Sequence, residues 1–177
     1  MHKFIIILLF SAVNISAMTY KIDIDISQQR LYLKQNDDLI KSYPISSSKY
    51  GEGSKENSNM TPLGLHVIKE KIGTDVPINT LFISRINTKR TVNIENSRNK
   101  TKDDHITSRI LWLDGLEEGK NKGKGVDSYS RYIYIHGTHE EGLIGEKASH
   151  GCIRMLNNDV IDLYNYVNIG TKVYISV

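Results

Sequence analysis

Apolar and polar side chains alternate strictly over residues 20–26 (Tyr-Lys-Ile-Asp-Ile-Asp-Ile), the period-two pattern of a half-buried strand. Residues 30–34 repeat it after Ser27-Gln28-Gln29, as the second arm of a hairpin does. Residues 39–45 read as a third strand, with Pro44 near its end, where a missing N–H is tolerated. A fourth strand spans 65–70, and weaker candidates lie at 81–86 and 91–94. Residues 106–113, which contain Trp112, alternate partially, and 131–135 read as a strand delivering His136 at its carboxyl end.

Only one segment has helical spacing. Val160, Leu163, Tyr164 and Val167 recur on one face, with Asn157 or Asn158 as cap, Asp159 in the first turn and Gly170 as the stop. Residues 172–177 close the chain as a strand. Between these elements, 46–61, 93–104 and 115–125 carry no apolar period and read as loops. For 115–125 a mobile surface loop is favoured over one that touches substrate. The pattern predicts a mainly β, single-domain sandwich or barrel-like sheet with one or two short helices.

Composition narrows the setting. Hydrophobic residues make up 39% and charged residues 24%, which fits a folded globular chain. The net charge of +3 is spread without a basic cluster, so nucleic acid is not an expected partner. At the amino end, Lys3, an apolar run over 4–15 and the small pair Ser16-Ala17 have the layout of a secretory leader over residues 1–17. That run is short for a bilayer span, which needs about 20 apolar residues. The expectation is a mature chain from residue 18 without a membrane span, secreted to the periplasm or cell wall.

Export changes the meaning of the lone cysteine, Cys152, because exported chains usually pair their cysteines or lack them. A reactive thiol is the expectation, with His136 or His150 as its base. His150 lies two positions from Cys152, where side chains run parallel rather than face to face, so the reading favours His136. His150 then shapes the pocket or binds substrate. Gly137 and Gly151 permit close backbone approach, and the N–H groups of Gly151 and Cys152 are candidate oxyanion donors. Arg154 can hold a substrate carboxylate or form a structural ion pair. Ser149 can orient the histidines or bond the turn backbone. His66 is expected to face outward and His139 to lie in a solvated loop. A zinc site from Cys152, His136, His139 and His150 lacks any Cys-x-x-Cys or His-x-x-x-His spacing, so no metal and no cofactor is expected.

His136-Gly137-Thr138, followed by Ser149-His150-Gly151-Cys152-Ile153-Arg154-Met155, resembles the catalytic motif of the L,D-transpeptidases, the YkuD-like domain. Tyr43-Pro44-Ile45-Ser46, Thr61-Pro62-Leu63-Gly64, Val126-Asp127-Ser128 and Arg131-Tyr132-Ile133-Tyr134-Ile135 resemble segments that precede that family's active site, so the likeness covers most of the mature chain and implies one catalytic domain over residues 18–177. The resemblance implies a β-rich sandwich and peptidoglycan stem peptides as substrate. It implies that Cys152 forms a thioester, that His136 is the base, and that a backbone carbonyl near Gly137 orients His136. An amine acceptor resolves the thioester in a transpeptidase and water resolves it in an L,D-carboxypeptidase; the motif leaves that choice open. A non-catalytic wall-binding module would need neither Cys152 nor His136.

Overall fold

The structure is a computed structural model that describes residues 19–177; the leader expected at residues 1–17 lies outside the described residues. Strand β1 (Tyr20–Asp25) pairs antiparallel with β2 (Arg30–Gln35), placing Ile22 opposite Leu33 and Ile24 opposite Leu31, all buried. Asn36 and Asp37, both with positive φ, turn the chain into β3 (Asp38–Ser46), the geometry that a two-residue hairpin loop needs. Strands β4 (Gly64–Ile72), β5 (Thr80–Ile83), β6 (Ile86–Thr91) and β7 (Ile106–Gly115) follow, then β8 (Tyr134–Thr138), β9 (Ile153–Met155), helix α1 (Asn157–Tyr166) and β10 (Lys172–Ser176).

The ladder runs β4-β10-β1-β2-β3-β9-β8-β7-β5-β6, and β4 also pairs with β7. Eight strands therefore close on one another, with the β5–β6 hairpin attached at β7. The mainly β expectation holds, and the two halves of the sandwich are joined by continuous pairing. Ile22, Leu33, Ile45, Leu113, Ile135, Ile153 and Val173 meet in one core, onto which α1 packs Val160 and Leu163.

Four expected elements differ. Of the strand anticipated over 91–94 only Thr91 is in a strand, as the last residue of β6. The strand anticipated over 81–86 is interrupted by Ser84 and Arg85, both at positive φ, which make the β5–β6 turn; pairing then continues to Thr91. The strand anticipated over 131–135 begins only at Tyr134 and continues to Thr138. Asp127 closes a turn before it, accepting from the N–H of Ser130 at 2.9 Å and of Arg131 at 3.0 Å, and Tyr132 has φ +59. His136 thus sits in the middle of β8, held by neighbours on both sides. At the helix, neither asparagine caps through its side chain; Glu141 accepts the Asn157 N–H at 2.7 Å instead. The far end stops at Tyr166, short of Gly170, where Lys71 donates to the carbonyls of Tyr164 and Val167 at 2.8 and 2.6 Å.

The three loops are tied down. Residues 46–61 bridge to the cysteine turn through Ser48 and Ser149. Residues 92–105 join the end of β8, Glu95 donating to His139 O at 2.7 Å. In 115–125 the fully buried Asn121 donates to the carbonyls of Leu63 and Leu65 at 2.9 and 3.1 Å, so this loop is stitched to β4. Among the described residues no helix is long and apolar enough to cross a membrane.

Candidate active site

Parallel pairing of β8 with β9 sets Ile135 opposite Ile153 and His136 opposite Arg154. Side chains alternate across a strand. Ile133, Ile135, Ile153 and Met155 therefore enter the main core, while Tyr134, His136, Cys152 and Arg154 share the other face. The strand pair, not proximity in sequence, brings cysteine and histidine to one side of the sheet. Trp112 on β7, stacked on Tyr129 at 4.2 Å and edge-on to Tyr134 at 5.4 Å, forms an aromatic wall beside Cys152.

His136 is 2% exposed, and its Nδ1 lies 2.7 Å from the Gly137 carbonyl. A carbonyl only accepts, so the ring proton is on Nδ1 and Nε2 carries the lone pair. Burial pushes the His136 pKa down to about 4, against the nearby Asp104 carboxylate and the Gly137 bond, which favour the charged form. Cys152 is half-buried, and its sulfur lies against backbone. The thiol donates to Tyr132 O at 3.3 Å and accepts from the Tyr134 N–H at 3.4 Å. Burial pushes its pKa up to about 12. The resting pair is thus a neutral thiol and a neutral imidazole, not hydrogen-bonded to one another in this structure.

His150 is exposed and engaged at both nitrogens. Lys49 Nζ approaches Nε2 at 2.9 Å, and Asp104 lies 2.7 Å from Nδ1. An ammonium only donates, so Nε2 accepts and Nδ1–H donates to the carboxylate. Both lone pair and proton are committed, which leaves His136 as the histidine with a free basic nitrogen.

Four further positions are engaged within the protein. Arg154, 1% exposed, pairs through Nη2 with Asp104 at 2.6 Å and through Nη1 with Glu140 at 2.9 Å, while its buried Nε has no partner among the described residues. The ion-pair alternative describes its geometry. The Ser149 hydroxyl donates to Cys152 O at 2.6 Å and accepts from the Gly151 N–H at 3.2 Å, bonding the turn rather than the histidines. The Gly151 N–H is therefore occupied, and Gly151 contributes its φ of +121 and a carbonyl that accepts from Thr61 Oγ1 at 3.0 Å. Gly137 is buried between strands, where a Cβ would lie 2.6 Å from Asn157 Oδ1 and 2.7 Å from Thr107 O.

Two other histidines also differ from expectation. His66 is fully buried, between Gly64 O and the Ser128 hydroxyl, because β4 is covered by the loop after β7. His139 is 6% exposed and bonded to Thr101. Asp104, Glu140 and Lys49 were not legible as site residues: each comes from a segment without apolar period, and Asp104 and Lys49 lie far from Cys152 in sequence. Among the described residues no three of His, Cys, Asp and Glu gather as metal ligands would.

Two clefts open here and share His150 as a wall. One, of about 200 Å³, is lined by Glu56, Asn57, Asn59, Arg131, Tyr132 and His150. The other, of about 90 Å³, is lined by Lys49, Lys102, Asp104, Glu140, His150 and Arg154. Neither of these two clefts is lined by Cys152 or His136; their shared wall, His150, lies two positions before Cys152.

The profile of the L,D-transpeptidase catalytic domain (YkuD) matches residues 19–175. YqjB of Bacillus subtilis is 43% identical over 53 residues, which are 30% of this chain and 29% of that protein. YkuD of the same organism is 52% identical over 50 residues, 28% of this chain and 30% of that protein. Both carry L,D-transpeptidase in their names, and the matched part spans about three tenths of their length. Among solved structures, L,D-transpeptidase 3 of Mycobacterium tuberculosis, in complex with a faropenem-derived adduct, superposes with a TM-score of 0.56 at 15% identity. The alignment covers 90% of this chain and 61% of that one. LdtMt1 in complex with imipenem gives 0.55 at 16%, covering 90% and 59%. At these identities the likeness is one of fold. With the family profile spanning the described domain and the fold agreeing, the chain belongs to the L,D-transpeptidase catalytic domain family.

Proposed function

We propose that this chain is a peptidoglycan L,D-transpeptidase acting at the cell wall, with Cys152 as nucleophile and His136 as general base. The observation that carries the reading is the His136 Nδ1–H bond to Gly137 O at 2.7 Å, which leaves Nε2 basic on the face that also carries Cys152. Because burial disfavours both thiolate and imidazolium, proton transfer accompanies attack rather than preceding it.

The thiol turns from Tyr132 O toward His136, and sulfur attacks the carbonyl carbon of the stem residue that precedes the terminal D-amino acid. The thiol proton passes to His136 Nε2. The oxyanion meets the Cys152 N–H, which takes part in none of the turn hydrogen bonds. When the C–N bond breaks, His136 returns the proton to the departing amine, and the acyl group stays on sulfur as a thioester. An acceptor amine then attacks, gives its proton to His136 and releases the thiol. Water in place of the amine makes the same site an L,D-carboxypeptidase.

Tetrapeptide stems incubated with and without an acceptor amine, with products read by mass, test this. A cross-linked or exchanged stem that forms only with the amine is the expected result. Release of D-alanine alone, with the amine present, would make the protein a carboxypeptidase. Retained turnover in Cys152→Ala would remove the thiol mechanism. Imipenem, present in the LdtMt1 complex, is expected to add mass at Cys152 and not to the Cys152→Ala protein.

A further inference from the structure

The residues two positions before and two positions after Cys152 end on the same carboxylate. Asp104 Oδ2 accepts from His150 Nδ1–H at 2.7 Å, and Oδ1 accepts from Arg154 Nη2 at 2.6 Å. Asp104 comes from the loop before β7, so a single side chain spans the turn that holds the nucleophile. The clamp extends at both ends: Lys49 donates to His150 at 2.9 Å, and Glu140 takes the other arm of Arg154 at 2.9 Å while accepting from the Thr101 N–H at 2.5 Å.

We propose that Asp104 is a positioning residue of this site, its carboxylate holding His150 and Arg154 across the Cys152 turn and stabilising the positive charge that His136 gains on taking the thiol proton. The inference rests on the Cys152–His136 reading above. Around His136 stand Arg154 and Cys152 from β9 and the turn before it, Tyr134 on its own strand, Asp104 from the loop, and the apolar Ile110 on β7. Arg154 opposes an imidazolium, and Asp104 supplies the negative charge that favours it. Burial works against ionisation of Asp104, but the Arg154 guanidinium and the His150 bond hold its pKa below the usual carboxylate range. It is therefore charged wherever the enzyme works at neutral pH.

Asp104→Asn keeps the shape and removes the charge. In the stem-peptide assay its kcat is expected to fall about tenfold or more, with KM within about twofold. Its rate at pH 4.5 relative to pH 7 is expected to exceed that of the parent protein, because His136 without the carboxylate protonates at lower pH. Asp104→Glu, which restores the charge, should recover most of the kcat and the parent pH ratio. A purely structural role would lower kcat with neither the pH displacement nor the rescue, and that result, or an unchanged kcat in Asp104→Asn, overturns the proposal. Should Asp104→Asn fail to fold by circular dichroism, His150→Asn opens the exposed arm of the clamp. A lowered kcat at constant KM supports the proposal there, and an unchanged kcat overturns it. Cys152→Ala run alongside separates the two levels: if it is active, the thiol reading fails; if it is inactive while Asp104→Asn behaves as the parent, only this inference fails.

Discussion

The Gly137 carbonyl accepts the Nδ1 proton of its own neighbour, His136, at 2.7 Å, and the same glycine sits where no side chain fits. Orientation of the base and close packing of β7, β8 and α1 are thus vested in one residue. Gly137→Ala would press a methyl group against Thr107 O and Asn157 Oδ1. Overpacking of this kind costs about 1–3 kcal/mol. The expected outcome is a lower thermal midpoint together with a kcat reduced about tenfold or more as the ring tilts. Parent-like kcat in a destabilised Gly137→Ala protein would show that the carbonyl is not what aims His136.

Arg154 holds two carboxylates apart in an almost fully buried position. Arg154→Ala leaves Asp104 and Glu140 without their shared cation, and removing one partner of a buried pair costs about 3–5 kcal/mol. Urea unfolding should register a loss of that order. Arg154→Lys has one ammonium for two acceptors that Arg154 reaches with separate nitrogens, and should recover only part of it. Were Arg154→Ala as stable as the parent, the network would hold no more than a surface ion pair does.

Thr61 is fully buried, and its hydroxyl accepts from the Ser48 N–H at 3.1 Å and donates to Gly151 O at 3.0 Å. It joins the 46–61 loop to the cysteine turn. Thr61→Val keeps the volume and leaves two buried backbone groups unpaired, a loss of about 1–3 kcal/mol. Hydrogen exchange at Ser48 should accelerate in this variant, and the rate of Cys152 alkylation should change with it. Parent-like exchange would count against the link.

His66 and His136 are both buried in the neutral form, with pKa values pushed down to about 4, burial being the main cause in each. An unfolded chain binds a proton at each near pH 6.5 while the native protein does not. Their contribution is therefore complete above pH 6.5 and is lost as the pH falls toward 4, by about 1.4 kcal/mol per pH unit for each histidine. Stability measured by urea at pH 7, 6 and 5 should decline accordingly. His66→Gln should flatten that decline even though it weakens the protein at pH 7. An identical slope in the variant would mean that His66 already titrates normally in the native state.

Local pattern determined much of this protein. The alternation over 20–26, 30–34 and 39–45 reports strands because one face of each is buried, and Ile22, Leu31 and Ile45 lie in the core where that pattern puts them. The unpaired cysteine near two histidines, and the motif they form, were enough to single out the family. What tertiary structure decided depends on contacts between distant residues. The parallel β8–β9 register places His136 in mid-strand on the face of Cys152, although alternation alone had ended that strand before it. Burial of His66 and His139 follows from loops laid over them, which no local period records. The commitment of Arg154 to Asp104 and Glu140 depends on residues 50 and 14 positions away, because a long-range ion pair leaves no spacing to read.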